Sequence, residues 1–196
     1  MSVDLKKGQR IDLTKGNAGL RGVMVGLGWD EAERGGGLFS LIGARRQEID
    51  CDASAILCDE EGNVSEIVYY GSLRDKSDSV IHQGDNLTGA GEGDDEQIFV
   101  DLRKIPPAVG KIVFTVNIYD GTQRRQHFGM IRNAFIRLVD ISGGGEICRY
   151  NLSENYDGMT GLIVGEIYRR GGEWKFSAIG RPVKEASRLD KLLAEM

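Results

Sequence analysis

Apolar and polar positions alternate in short runs along most of this chain, and glycines or Asx residues punctuate the runs. Val23 to Asp30 is a predicted strand that ends in an acid. Ile49 to Cys58 alternates with period two, which puts Cys51, Ala53, Ala55 and Leu57 on one face and Asp50, Asp52 and Ser54 on the other. Val64 to Tyr70, Val80 to His82 and Gln97 to Leu102 continue the pattern, and Leu5 to Leu13 supplies one or two edge strands. Ile112 to Tyr119 is almost continuously apolar, the signature of a central strand buried on both faces. Ala134 to Val139 and Gly145 to Asn151 form a predicted hairpin, and Leu162 to Arg169 with Glu173 to Ile179 form another, turned at Gly171-Gly172.

Only one segment changes period. Between Lys184 and Met196, Ala186, Leu189, Leu192, Leu193 and Met196 recur at helical spacing, so residues 184–196 are a predicted short amphipathic helix. Roughly nine or ten short strands with one terminal helix describe an all-β protein, an antiparallel β-sandwich. Residues 31–48, with the run Gly35-Gly36-Gly37, read as an inserted flexible loop with one turn of helix at most. No repeat or linker divides the chain, so residues 1–196 are expected to be one domain.

Composition narrows the setting. The 196 residues carry a net charge of −5, and no basic stripe stands out to neutralise phosphates, which excludes nucleic acid as the expected partner. Cys51, Cys58 and Cys148 have no paired-ligand spacing, so they are expected to be reduced, buried thiols of a cytoplasmic protein.

The chemistry concentrates in Gly84 to Glu96. Asp85, Glu92, Asp94, Asp95 and Glu96 share this segment with four glycines, an asparagine and no Lys, Arg or His. Clustered carboxylates repel one another, and a flexible backbone lets them turn inward around a hard cation, for which calcium is the natural fit. A solvated acidic turn is the competing reading. An EF-hand is excluded, because counting from Asp85 the third and fifth positions are Leu87 and Gly89, which offer no side-chain oxygen. The acids Asp50 and Asp52 add a second group. If the strand ending at Asp30 returns as an antiparallel neighbour, Asp30 and Asp50 share one end of a sheet.

Other chemistries have thinner support. A phosphate cradle is disfavoured by the Asp94-Asp95-Glu96 run and the strand after it. No Gly-x-Ser-x-Gly elbow is present, and His82 and His127 stand apart from any nucleophile signature. No catalytic residue is assigned, and the chain is not expected to be an enzyme. The alternative is a metal-dependent enzyme, or a nucleotide-binding protein that uses its cation to hold a phosphate.

Several blocks also resemble the TerD family of bacterial tellurium-resistance and general stress proteins. They are Leu27-Gly28-Trp29-Asp30, Asp50-Cys51-Asp52-Ala53-Ser54-Ala55, Gly84 to Gly89, Gly93-Asp94-Asp95-Glu96, Asn133 to Arg137 and Gly165 to Arg169. The likeness runs in order from about Leu13 to about Gly180 and is nearest the stress-protein branch; the usual Asp-Leu-Asp is Asp-Cys-Asp here. The resemblance implies a calcium-binding β-sandwich that acts in stress or toxic-oxyanion resistance without established catalysis. It implies calcium ligands at Asp50, Asp52, Asp85, Asn86, Asp94, Asp95 and Glu96, to which the strand-end argument adds Asp30. Expected partners are calcium ions and other proteins of a stress-response complex, membrane association included.

Overall fold

The computed structural model describes residues 2–31, 49–84, 93–152 and 154–196. The described residues form two six-stranded sheets packed face to face. The strands are β1 (Val3–Leu5), β2 (Arg10–Asp12), β3 (Gly22–Glu31), β4 (Cys51–Cys58), β5 (Val64–Val68) and β6 (Val80–His82). Then come β7 (Glu96–Asp101), β8 (Lys111–Ile118), β9 (Ile131–Asp140), β10 (Glu146–Asn151), β11 (Gly161–Arg170) and β12 (Glu173–Val183). Two short α-helices, α1 (Gly121–Arg124) and α2 (Leu189–Leu193), and a single 3-10 turn at Phe128–Met130 complete the described residues. The first sheet runs β1-β10-β9-β3-β7-β6 and the second β2-β12-β11-β8-β4-β5. All pairings are antiparallel except β1 with β10, which is parallel.

Alternation makes the core. Val23, Val25 and Leu27 of β3 face inward with Ile98 and Val100 of β7, and meet Ala53, Ala55 and Leu57 of β4 and Phe114 of β8. β8 lies between β4 and β11 and is buried from Ile112 to Ile118, as its continuous apolar run requires. β4 is buried on both faces as well, because Ile56, Cys58 and Val113 on the outer side are covered by Val183, Ala186 and Leu192.

Two expectations need correction. Asp30 and Asp50 do not belong to neighbouring strands of one sheet: β3 pairs β7 and β9, while β4 sits in the other sheet between β5 and β8. The terminal helix is also shorter than residues 184–196. Thr160 Oγ1 accepts Ala186 N–H at 2.8 Å and donates to the Lys184 carbonyl at 3.1 Å, and the Ser187 carbonyl accepts Asp120 N–H at 3.1 Å. These bonds hold 184–187 in a bent, non-helical course against the sheet, and the helix starts only after Arg188. The inserted loop and its turn of helix lie outside the described residues, apart from Glu31, which belongs to β3.

Candidate functional site

The acids at the start of β7 point three ways. Glu96 pairs with Leu27 of β3, so its side chain shares Leu27's inward direction and is 2% exposed. Its Oε2 accepts the Ala53 N–H of the opposing sheet at 2.7 Å and lies 3.3 Å from His82 Nε2. His82 Nδ1 accepts Gly84 N–H at 3.1 Å, which leaves Nε2 as the protonated nitrogen facing Glu96. A buried carboxylate is tolerable only when so bonded, and this one ties the two sheets together.

Asp94 lies on the outer face of the first sheet, above Gly26. Arg137 of β9 grips it through Nε to Oδ1 at 2.7 Å and Nη2 to Oδ2 at 2.8 Å, and the Asp94 side chain is 0% exposed. Nothing within the acidic segment supplies that cation, and the pairing comes from a strand 43 residues away. Arg137 stood in the quoted Asn133–Arg137 block, and a basic residue inside an otherwise apolar strand was the signal available in the sequence.

Asp95 turns to the end of the sandwich. Its N–H donates to the Leu27 carbonyl at 2.8 Å and its Oδ2 accepts Trp29 N–H at 2.7 Å, where β3 shifts register against β9 between Gly28 and Asp30. Burial pushes the Asp95 carboxyl up, the Trp29 N–H pulls against that, and the charges of Asp30 and Asp94 add to the rise. Asp30 itself accepts Asn133 Nδ2 at 2.8 Å. Asn133 adopts φ 53°, a left-handed position that asparagine tolerates.

On the second sheet, Asp50 Oδ2 lies 3.6 Å from Arg124 Nη1 of α1. Asp52 is 6% exposed on the outer face, with Asn117 Nδ2 at 3.4 Å from its Oδ2. Between them Cys51 points inward. Burial drives its thiol well above the ordinary range, and Asp52, Glu96, Asp50 and Asp95 push it further. The acids of both sheets therefore share one pole of the molecule. Among the described residues, no three His, Cys, Asp or Glu side chains form a group that could hold a metal ion. Asp85 and Asn86 lie outside the described residues. The cysteines are all free and buried, and no helix among the described residues is long and apolar enough to cross a membrane.

Fold and pole together define a two-sheet sandwich with a carboxylate-rich end. The TerD domain model matches residues 1–195, and the chain belongs to the TerD family. It is 52% identical over 198 residues to stress response protein SCP2 of Bacillus subtilis (strain 168), covering 99% of this chain and 98% of that one. It is 42% identical over 184 residues to tellurium resistance protein TerD of Serratia marcescens, covering 92% and 91%. The crystal structure of a homologue of telluride resistance protein TerD from Streptomyces coelicolor A3(2) shares the fold, with a TM-score of 0.64 at 20% identity, over 85% of this chain and 92% of that one.

Proposed function

We propose that this protein is a calcium-binding, non-enzymatic stress-response protein that acts in resistance to tellurite and other chemical stress. The names of its relatives, a stress response protein and a tellurium resistance protein, support the physiological part. The observation that carries the calcium part is the Asp95 carboxylate. It is half-buried, fixed by Trp29 N–H, and pushed up by burial and by the charges of Asp30 and Asp94. A cation at this strand end relieves that repulsion, and the Asp30 and Asp95 carboxylates are hard oxygen donors.

The residues fit the ion unequally. Asp30 and Asp95 are the best-placed ligands among the described residues; Asp85 and Asn86, ligand candidates from the sequence, lie outside them. Asp94 is committed to Arg137, Glu96 to Ala53 N–H and His82, and Asp50 lies beside Arg124. These three position the strand ends, while Asp52 faces outward from the second sheet. Bound calcium would supply positive charge between the ends of β3 and β7, where Asp30 and Asp95 stand. The setting that goes with this reading is the cytoplasm, in a complex with other stress-response proteins.

Thermal melts with and without millimolar calcium test the reading. Ligand at a hundredfold excess over Kd stabilises by about 2.7 kcal/mol, which raises Tm by roughly 5–10 °C for a domain of this size. The rise should vanish in Asp95→Asn and exceed that given by magnesium. No shift with either ion in the parent protein overturns the calcium reading.

A further inference from the structure

Four basic side chains of this acidic protein line one hollow of about 520 Å³, on the outer face of β2, β12 and β11. Register explains the gathering. Lys175 pairs with Asp12 on one side and Tyr168 on the other, and Ser177 pairs with Arg10. Ile11, Ile167, Trp174 and Phe176 pack into the core. The residues that alternate with them, Arg10, Asp12, Tyr168 and Lys175, therefore stand on the outer face. Arg170 follows two positions after Tyr168, and Lys15 joins from the turn after β2. These positions are scattered along the chain, so no basic stripe shows in the sequence.

The charges of the hollow do not cancel. Lys175 Nζ donates to Asp12 Oδ1, and this bond, helped by the charges of Lys175 and Lys15, holds the Asp12 carboxyl below the usual carboxylate range. Glu173 Oε2 accepts the Thr14 hydroxyl, a neutral donor that leaves its charge in place. Against that one negative charge stand Arg10, Lys15 and Arg170. All three are exposed, and none makes an ion pair or side-chain hydrogen bond among the described residues. Three positive charges against one negative leave +2 here, in a chain whose total is −5. Like charges held together repel, and an anion set among them is attracted by each. Guanidinium forks match phosphate oxygens in particular. Arg10 and Arg170 rise from strands two apart, about 10 Å, so a chain of phosphates spans them where a single phosphate answers only part of the charge. Gly171 lacks a Cβ and leaves the backbone of the β11–β12 turn open to a ligand.

We propose that this hollow binds a compact polyphosphate, a chain of two or three phosphate groups, free or carried on a nucleotide. The phosphate oxygens accept hydrogen bonds from Arg10, Lys15 and Arg170. Where a base is attached, Tyr168 offers a ring for it to lie against. The site uses no metal and is separate from the calcium reading. Its residues belong to the second sheet and its turns, whereas Asp30 and Asp95 stand at the ends of β3 and β7 in the first.

Isothermal titration of the full chain at low ionic strength tests this, with EDTA present to remove divalent ions. Tripolyphosphate, ATP and inorganic phosphate are the probes. Saturable binding of tripolyphosphate or ATP is expected, tighter than that of phosphate and weakened by added salt. Tighter binding of ATP than of tripolyphosphate assigns the ligand to a nucleotide, and the reverse assigns it to free polyphosphate. Arg10→Gln and Arg170→Gln remove exposed side chains without bonds, so the parent Tm should be retained. Each should weaken binding about threefold and the pair about tenfold, the scale of exposed charge contacts. Arg188→Gln removes an exposed cation beside α2, outside the hollow, and should leave affinity unchanged. So should Asp95→Asn, even where it abolishes the calcium-dependent rise in Tm. The proposal is overturned if neither polyphosphate saturates without divalent ions, or if phosphate binds as tightly as both. It is also overturned if the double variant binds like the parent, or if Arg188→Gln weakens binding as much as Arg10→Gln.

Discussion

Gly26 and Asp94 occupy the same space in alternation: a Cβ on Gly26 would stand closer than 3.0 Å to the Asp94 carboxylate. The carboxylate cannot swing aside cheaply, because Arg137 holds both of its oxygens. Gly26→Ala is therefore expected to destabilise the fold by about 2 kcal/mol through overpacking, read from urea denaturation. Combined with Arg137→Met, the two losses should fall short of their sum, since each disrupts one arrangement.

Arg137→Met alone leaves Asp94 buried without its cation. Removing one partner of a buried pair costs about 3–5 kcal/mol, and the partial exposure of Arg137 puts this case at about 3 kcal/mol. Asp94→Asn in the Arg137→Met background should recover part of the loss, because it removes the stranded charge. A double mutant no more stable than Arg137→Met would contradict the assignment.

Asp75 is buried under the turn that follows β5. It accepts the N–H groups of Ser77 at 3.1 Å, Ser79 at 2.8 Å and Val80 at 2.7 Å, as well as both serine hydroxyls. Burial pushes its carboxyl up, but these donors outweigh it and hold the group below the usual carboxylate range. A folded value below the unfolded one, about 3.9, means stability that is complete above that pH and lost as pH falls through the folded value. Asp75→Ala should lose about 3 kcal/mol at pH 7, and its stability should fall less than the parent's between pH 4 and 2. Asp95, shifted upward, works in the opposite direction, so the difference between variant and parent is the quantity to compare.

Leu192 is the buried residue of α2 and packs with Ala186 and Val183 on the outer side of the second sheet. Leu192→Ala should cost about 2–4 kcal/mol and expose the segment after Val183 to protease. Limited proteolysis beside a thermal melt would separate local detachment from global loss.

Much of this was legible in the residues. The unbroken apolar run of β8 marked a strand covered on both faces, and Gly171-Gly172, at φ 62° and 81°, marked the β11–β12 turn. Period-two alternation says which face a side chain takes and nothing about which strand lies beside it. That is why Asp30 and Asp50 read as neighbours in one sheet although the chain changes sheets between them. Arg137 was hidden for a related reason, since the charge that answers Asp94 arrives from a distant strand. The terminal helix is shorter than its spacing predicts because spacing carries no record of Thr160, whose hydroxyl bonds Lys184 and Ala186 and keeps them out of the helix.

The parallel contact of β1 with β10 sets an order of assembly. Val3 meets Cys148, and Ile11 of β2 meets Phe176, so the earliest strands finish edges built from late hairpins. Such distant pairings carry a large loop-closure cost and slow folding. During synthesis β1 and β2 wait as bare ribbons with nothing to pair against, and the sandwich is sealed at its margins only when β10 and β12 have emerged.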